Sequence, residues 1–181
     1  MASSAATGTF DRMTAEPSRE RLFAEVVAQC TGLVTRIALS FEADVALRRE
    51  LTQDILLAVW VALPSFRGEA SLKTFVASIA QKRSITHVTR RAREPRQVEL
   101  PPDLVSAAMP PDEIAERNDQ KKQLVESIQK LPIPQREAIV LFFEGFSFGE
   151  MAEVLGISAN AAMLRCQRAK AALKEMMGAR K

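Results

Sequence analysis

The sequence predicts an all-α protein in which two small helical domains are joined by a flexible linker. Hydrophobic residues make up 47% of the 181-residue chain but aromatic residues only 6%, so we expect aliphatic, helical cores. Apolar residues recur at helical spacing on both sides of a proline-rich segment, which indicates one domain before it and one after it. The predicted divisions are a disordered polar tail over 1–17, a first domain over 18–94, the linker over 95–111 and a second domain over 112–181.

Two helices are expected to open the first domain. The first covers about 18–40, and the second is capped by Asp44 and reaches about Ala62. Gln53 and Asp54 fall outside the apolar stripe of the second helix, so we expect them to face solvent or a partner. The apolar positions of the first helix are Leu22, Phe23, Val26, Val27, Cys30, Leu33, Val34 and Ile37, and those of the second are Leu47, Leu51, Ile55, Leu56, Val59 and Trp60.

A loop and a third helix complete the first domain. Pro64 and Gly68 break the chain, and Ser71 caps a helix that ends among arginines. Phe66 beside Arg67 fits a surface for single-stranded nucleic acid, because aromatic rings stack on bases and cations hold phosphates. The alternative is that Phe66 closes the core beneath the loop, and the two roles are compatible. The inward positions of this helix are Leu72, Phe75, Val76, Ile79, Ile85 and Val88.

The second domain is expected to begin with two helices of different length. A fourth helix covers about 112–131 and is ended by Pro132, because proline cannot continue the backbone hydrogen bonds. Pro134 suits the first turn of a fifth helix, which covers about 135–144 and ends at Gly145. Their apolar positions are Ile114, Leu124, Val125, Ile128, Leu131, Ile139, Val140, Phe142 and Phe143.

The segment after Gly145 predicts a helix-turn-helix. Ser147 and Glu150 have the spacing of a capping box, and Gly156 supplies the left-handed residue that ends a short helix. Ser158 then caps a second, basic helix that reaches Met177. A short helix, a tight turn and a basic second helix are typical of DNA binding, with the second helix in the major groove. The alternative is an ordinary helical hairpin with a solvated basic face.

The charges of the chain alternate in blocks, although its net charge is only +3. Residues 82–96 carry six Lys or Arg and one acid, and residues 163–181 again carry six Lys or Arg and one acid. Between them, residues 97–119 carry six acids and one Arg. Two basic patches indicate a polyanionic partner held at two places, although either patch alone could be a solvated helix face.

Several classes of site and location are not expected. Cys30 and Cys166 lie far apart within apolar patterns, which favours buried free thiols over a disulfide or a metal site. His87, the one histidine, is interpreted as a phosphate neighbour or a surface residue. We predict no catalytic residue, no metal, no cofactor and no small-molecule substrate. The sequence also shows no secretory leader and no stretch judged long enough to cross a membrane, which predicts a cytoplasmic protein without membrane insertion.

Two blocks of the sequence resemble the extracytoplasmic-function (ECF) group of bacterial RNA polymerase sigma factors. The first, Glu50 to Arg83, is ELTQDILLAVWVALPSFRGEASLKTFVASIAQKR and is similar to sigma region 2. The second, Leu131 to Ser158, is LPIPQREAIVLFFEGFSFGEMAEVLGIS and is similar to region 4. The order of the blocks and the proline-rich linker between them strengthen the resemblance, which spans nearly the whole chain.

The resemblance implies a non-enzymatic subunit that binds core RNA polymerase and promotes transcription initiation at promoters. It implies contacts with duplex promoter DNA and with the melted non-template strand, and regulation by an anti-sigma factor. It also implies that the linker threads toward the active-site and RNA-exit region of the polymerase.

The family motifs carry three sets of site residues onto this sequence. The first set, for core polymerase, contains Gln53, Asp54 and Leu57. The second set, for the minus-ten promoter element, contains Phe66, Arg67, Glu69, Ser71, Lys73, Lys82, Arg83, Arg90 and Arg91. The third set, for the minus-thirty-five element, contains Ser158, Asn160, Met163, Leu164, Arg165 and Arg168.

The sequence departs from the family pattern at positions that bear on base preference. Lys82 and Thr86 stand where Asn and Asp are usual, and Phe75 replaces the usual Trp. Met163 and Leu164 occupy positions that are more often polar, where they could contact thymine methyl groups or an inhibitory partner. The base preferences of the family therefore do not transfer to this chain.

Two other functions compete with the sigma-factor interpretation. A stand-alone helix-turn-helix transcriptional regulator would bind an operator as a dimer, but the first half shows no ligand pocket pattern and no dimer stripe. A sigma-like protein that has lost promoter function and only binds partners is also compatible with the residues at Lys82 and Thr86.

Overall fold

The computed structural model describes residues 18–93 and 112–178, and every regular element within these ranges is helical. This confirms the predicted all-α class. The linker over 95–111 and the tail over 1–17 lie outside the described residues, so the predicted division into domains stays a prediction. The elements are α1 (Arg19–Phe41), α2 (Val45–Ala62), a 3₁₀ turn (Leu63–Ser65), α3 (Leu72–Arg91), α4 (Asp112–Lys130), α5 (Ile133–Phe143), α6 (Phe148–Leu155) and α7 (Ala159–Gly178).

Side-chain caps begin the three helices of the first unit, α1 to α3. The hydroxyl of Ser18, the carboxylate of Asp44 and the hydroxyl of Ser71 each accept a hydrogen bond from a backbone N–H in the first turn of the helix that follows. Each cap satisfies a donor that has no partner inside the helix, so the predicted starts are confirmed.

The core of the first unit forms where α1 and α2 pack against α3. Its buried apolar side chains include Val26, Val34, Ile37, Leu51, Ile55, Val59, Val76, Ala77 and Ala80. Two expectations fail here. Val27 is 47% exposed rather than inward, and the buried face of α3 contains Thr74, Gln81 and Ser84 as well as apolar residues. The predicted Ile79 and Ile85 are only partly buried against this core.

The expectation that no stretch is long enough to cross a membrane is wrong for α1. By length and composition alone, α1 is the one helix among the described residues that could span a membrane. In the structure, α1 packs along one side of the core, with Val26, Val34, Ile37 and Ala38 fully buried. Because core helices of soluble proteins pass the same test, the length of α1 is weak evidence for insertion.

The second unit, α4 to α7, follows the predicted turn chemistry. Pro134 lies in the first turn of α5, and Gly145 has a φ of 78° after its last turn. Ser147 and Glu150 form both hydrogen bonds of a capping box at the start of α6. Gly156 ends α6 in the left-handed conformation, with a φ of 64°. The Ser158 hydroxyl accepts from the N–H of Ala161 at 3.2 Å and caps α7, so the predicted helix-turn-helix is confirmed.

The two units pack against each other, which the sequence did not predict. α1 contacts α4 and α5, and α6 lies on α3, so the buried apolar residues of both units form one continuous cluster. Hydrogen bonds cross the same boundary: the Gln129 side-chain amide donates to the carbonyl of Leu39 at 2.7 Å, and the Lys73 amine donates to the carbonyl of Glu144 at 2.7 Å.

We expect Gly156→Ala to lower the free energy of unfolding by about 1–2 kcal/mol, because an L-residue is strained at this positive φ. An added Cβ would meet nothing within 4 Å, so backbone strain alone sets the loss. Urea unfolding followed by circular dichroism would measure it. Gly149→Ala is the matched control: Gly149 lies inside α6 without a positive φ, and alanine there should leave stability equal or raise it by up to about 1 kcal/mol. Equal losses of stability in both variants would contradict the role of the positive φ at Gly156.

Candidate nucleic-acid interface

One face of α2 is exposed and carries apolar side chains. Leu57 is 61% exposed and Val61, one turn later, is 65% exposed. Gln53 precedes Leu57 by one turn and is also exposed, so the three residues form a line along the helix. Asp54 beside them lies 3.9 Å from Arg83, but both side chains are about half exposed and water screens such a pair. An apolar line flanked by an acid on an otherwise packed helix fits a protein partner. Sequence reasoning found all of these residues except Val61.

The loop between α2 and α3 lines an open cavity of about 430 Å³. Phe66 packs on Phe75 with ring centroids 5.1 Å apart, and both rings line the cavity. Phe66 therefore both closes the packing beneath the loop and presents part of its ring to the opening. Arg67 and Glu69 lie on the rim, and Gly68 between them has a φ of 72°, which lets the loop turn back toward α3. The cavity is large enough to hold a small planar group such as one base.

The remaining predicted loop residues have other partners in the structure. Ser71 does not line the cavity, because its hydroxyl accepts from the N–H of Thr74 and caps α3. The amine of Lys73 donates to the carbonyl of Glu144 and lies 4.3 Å from the centre of the Phe146 ring. Glu153 of α6 also lines the cavity. The second unit thus contributes to the surroundings of a loop in the first unit, which no local pattern could show.

The outer face of α3 carries a row of cations. Lys82, Arg83 and Arg90 are exposed there. Lys82 and Arg83 are adjacent, and Arg90 follows Arg83 by about two turns, so the cations extend along the helix and suit a backbone of phosphates. The guanidinium of Arg91, the last residue of α3, donates to the Glu42 carboxylate at 2.6 Å. Arg91 thereby ties the end of α3 to the end of α1.

Glu42 is the centre of a small ionic cluster that includes the only histidine. Its carboxylate lies 2.8 Å from Nε2 of His87, accepts from Arg91, and accepts from the N–H of Asp44 at 2.9 Å. Burial by itself would raise the pKa of Glu42, but these three hydrogen bonds outweigh it, so the pKa is lowered. His87 is therefore a half-buried partner of Glu42, and its interpretation as a surface residue or phosphate neighbour is replaced by this role.

The exposed face of α7 has the form of a recognition helix. Asn160, Leu164 and Arg168 follow one another at one-turn intervals and are all exposed, with Leu164 at 41%. The opposite face is anchored in the core by Ala162, Cys166, Ala169 and Leu173. Met163 and Leu164, the two apolar residues expected at the DNA surface, differ in exposure. Leu164 lies on the exposed face, whereas Met163 is half-buried at its edge.

Arg165 lies between the open face of α7 and the core. It is half-buried, and its charge acts on Glu137 of α5. Burial raises the pKa of the Glu137 carboxyl, and the charge of Arg165 opposes that rise. Cys30 and Cys166 are buried free thiols, as predicted, and Cys166 contacts the Ala138 carbonyl at 3.4 Å.

Comparisons with known proteins agree with this geometry. Residues 26–94 match the family model described as Sigma-70 region 2, and residues 121–173 match the model described as Sigma-70, region 4. The chain is 25% identical over 160 residues to the probable RNA polymerase sigma factor RfaY of Xanthomonas campestris, covering 86% of this chain but only 40% of that protein. It is 26% identical over 167 residues to the RNA polymerase sigma factor CarQ of Myxococcus xanthus, covering 91% of each.

A solved structure shows the same arrangement of helices. CnrH, in its complex with the cytosolic domain of CnrY, superposes with a TM-score of 0.67 at 25% sequence identity. The match covers 90% of this chain and 91% of that one.

We expect Glu42→Gln to lower the free energy of unfolding at pH 7 by about 1–3 kcal/mol, the usual size for buried hydrogen bonds to a charged group. Because folding lowers the pKa of Glu42, its carboxylate stabilises the folded protein at pH values above the ordinary glutamate pKa of about 4.5. That contribution disappears as the pH falls through the lowered pKa. Chemical unfolding of both proteins from pH 7 to pH 3 should therefore show the difference shrinking in acid. A difference in stability between the two proteins that does not change with pH would contradict the role of the Glu42 charge.

Proposed function

The chain belongs to the sigma-70 family, in its ECF group, and we propose that it acts as an alternative sigma factor that directs core RNA polymerase to promoters and promotes their opening. One observation carries this proposal. A single chain combines a region 2 match, with an aromatic loop cavity and a cationic helix, and a region 4 match with a capped recognition helix. The role is non-enzymatic, and its place is the cytoplasm, where the polymerase works on the chromosome.

In this proposal, three surfaces of the chain bind different partners. The exposed line of α2, with Gln53, Asp54 and Leu57, binds core polymerase. The loop around Phe66 and the cations of α3 bind the minus-ten element, and the open face of α7 binds the minus-thirty-five element.

The loop suits the capture of a base from a melted strand. Taking a base out of the stack costs a few kcal/mol, which a pocket must offset. Aromatic stacking on Phe66 can return about 1–3 kcal/mol, and Arg67 can hold the adjoining phosphate. Lys82 and Arg83 would then follow the backbone away from the loop.

The face of α7 suits direct readout of duplex DNA. An amide such as that of Asn160 pairs with adenine, an arginine such as Arg168 with guanine, and an aliphatic side chain such as Leu164 contacts the methyl group of thymine. Two moderate binding surfaces on one tether gain affinity through effective concentration, and the polymerase would set their separation.

A protein inhibitor completes the proposal. CnrH is solved in complex with the cytosolic domain of CnrY, and the other similar structure, at 21% identity, is titled as a sigma factor with an anti-sigma factor. We infer that this chain is likewise held by an anti-sigma factor. The apolar residues on its exposed faces, such as Val61 and Phe143, offer surfaces for such a partner.

The assignment as a whole is tested by mixing the purified chain with bacterial core polymerase and following transcription from a library of promoter fragments. Initiation from a subset that shares two spaced elements supports the proposal. Tight DNA binding without any binding to core would favour the stand-alone regulator instead.

We expect Asp54→Arg to weaken binding to core polymerase about tenfold, because it places a cation where the partner surface accommodates an acid. Fluorescence anisotropy of labelled protein against core would measure the affinity. The control is Glu175→Arg, which makes the same change of charge at an exposed position on α7. Equal affinities of the Asp54 variant and the control would remove α2 from the interface.

We expect Leu164→Ala to reduce discrimination at a single base pair of the upstream element by about 1 kcal/mol, because it removes an apolar contact with a thymine methyl. Selection of binding sites from a randomised duplex library in the presence of core would reveal the position. Lys174→Ala is the control, because an exposed lysine on the same helix should affect all sequences alike. An unchanged profile for the Leu164 variant would show that its side chain does not face a base.

A further inference from the structure

Arg19, in the first turn of α1, holds the last turn of α2. Its guanidinium donates two hydrogen bonds to the carbonyl of Trp60, from Nε at 2.9 Å and from Nη2 at 2.6 Å. The central carbon of the same guanidinium lies 4.0 Å from the centre of the Trp60 ring. Phe23, one turn further along α1, meets that ring edge-on with the ring centroids 5.1 Å apart. Both the backbone and the side chain of Trp60 are therefore held by α1.

The sequence at the end of α2 explains why this carbonyl takes a donor from another helix. Inside a helix, the carbonyl of Trp60 would accept from the backbone N–H four residues later. That residue is Pro64, which has no N–H, so the helix itself does not supply the bond. The last turn of α2 also carries no basic residue to complement the negative end of the helix dipole. Arg19 supplies both the donors and the positive charge.

The preferences of α1 alone do not account for an arginine at this position. A cation in the first turn opposes the positive end of the helix dipole, whereas the Ser18 cap and Glu20 suit it. A residue that is unfavourable in its own helix but well paired with another helix indicates a role in tertiary structure. Arg19 and Phe23 also precede residue 26, where the match to the region 2 model begins, so neither belongs to the matched segment.

The turn that Arg19 holds leads directly into the loop between α2 and α3. The 3₁₀ turn Leu63–Ser65 follows α2 at once, and Leu63 is buried in the core. The N–H of Phe66 donates to the carbonyl of Leu63 at 3.0 Å. α1 contacts this turn as well as α2. A short and hydrogen-bonded path therefore connects Trp60 to the Phe66 ring at the cavity.

We propose that Arg19 is a positioning residue for strand binding. By bonding the end of α2 it sets the direction in which the loop leaves that helix, and it thereby places Phe66 at the cavity. The proposal rests on the proposed function, because it takes the loop as the site that binds the melted strand. Arg19 does not line the cavity, so it acts through the turn and not by touching the strand.

The effect of Arg19 is confined to one of the three proposed surfaces. Gln53 and Asp54, proposed to bind core polymerase, lie about two turns before Trp60 on α2. The exposed face of α7 belongs to the second unit. Loss of the Arg19 contact should therefore weaken strand binding and leave the affinity for core polymerase unchanged, whereas loss of a general structural contact would weaken both.

Three variants of the full chain test this role. Arg19→Ala removes the donors to the Trp60 carbonyl. Arg21→Ala is the matched control, because the Arg21 side chain is 76% exposed on the same helix and lies 3.8 Å from Glu25 of α1. The double variant R19A/P64A returns a backbone N–H at residue 64, which can donate to the Trp60 carbonyl within α2 and should replace the lost bonds.

Four measurements compare these variants with the wild type. Trp60 is the only tryptophan, so acrylamide quenching of its fluorescence reports directly on the Arg19 contact. Amide hydrogen exchange over residues 63–70 reports on the order of the loop. Anisotropy of a fluorescein-labelled random-sequence single-stranded 15-mer measures strand binding by the chain saturated with core polymerase, with core alone as the baseline. Anisotropy of the labelled chain measures its affinity for core.

For Arg19→Ala we expect stronger quenching, faster exchange over residues 63–70 and weaker strand binding, with unchanged affinity for core. If the loop is correctly placed in about one fifth of the variant molecules, the apparent strand affinity falls about fivefold. Arg21→Ala should match the wild type in all four measurements. R19A/P64A should recover the slow loop exchange and the strand affinity but not the weak quenching, because no guanidinium then covers the Trp60 ring.

Unchanged loop exchange and strand affinity in Arg19→Ala would overturn the proposal. A loss that R19A/P64A fails to recover would also overturn it, because the hydrogen bonds to Trp60 would not be the cause. An equal loss of affinity for core would make Arg19 a general structural contact and would overturn the positioning role as well.

Transcription with core polymerase separates this proposal from the assignment of function. If the wild-type chain starts no transcript from the promoter library and adds no strand binding to core, the proposed function fails. The effect of Arg19 on the loop is then still decided by hydrogen exchange. If the wild type does both and Arg19→Ala behaves in the same way, only the positioning role is overturned.

Discussion

The close packing of α3 against α1 is the contact on which the rest of the structure depends. The buried face of α3 consists largely of short side chains, among them Ala77, Ala80 and Ser84, which allow the two helices to approach closely. Because this face is fixed in the core, the start of α3 holds the loop cavity in place. The opposite face necessarily presents Lys82 and Arg83 to solvent. One packing constraint thus positions both the cavity and the cations that the proposed function requires.

The polar groups buried next to this contact differ in how completely they are hydrogen-bonded. Glu42 is fully engaged, since His87, Arg91 and a backbone N–H all reach its carboxylate, and it joins the ends of α1 and α3 inside one unit. Gln81 lies at the boundary between units and keeps an unpaired oxygen. A satisfied ionic cluster rigidifies the structure around it, whereas an incompletely paired buried group loses its hydration without full compensation. Ser84 carries the same cost inside the first unit, because its buried hydroxyl also has no hydrogen-bond partner among the described residues.

Features encoded within a few residues could be predicted from the sequence, and features that join distant residues could not. The caps at Ser18, Asp44 and Ser71 and the capping box at Ser147 act on the first turn of their own helix, so their spacing was sufficient. The orientation of α3 was missed in part, because Thr74, Gln81 and Ser84 are buried by tertiary packing that overrides hydrophobic periodicity. The contact of Lys73 with Glu144 joins residues 71 positions apart, and nothing local to either residue indicates it. For the same reason the family motif assigns Lys73 to DNA, whereas its contact with Glu144 is visible only in the structure.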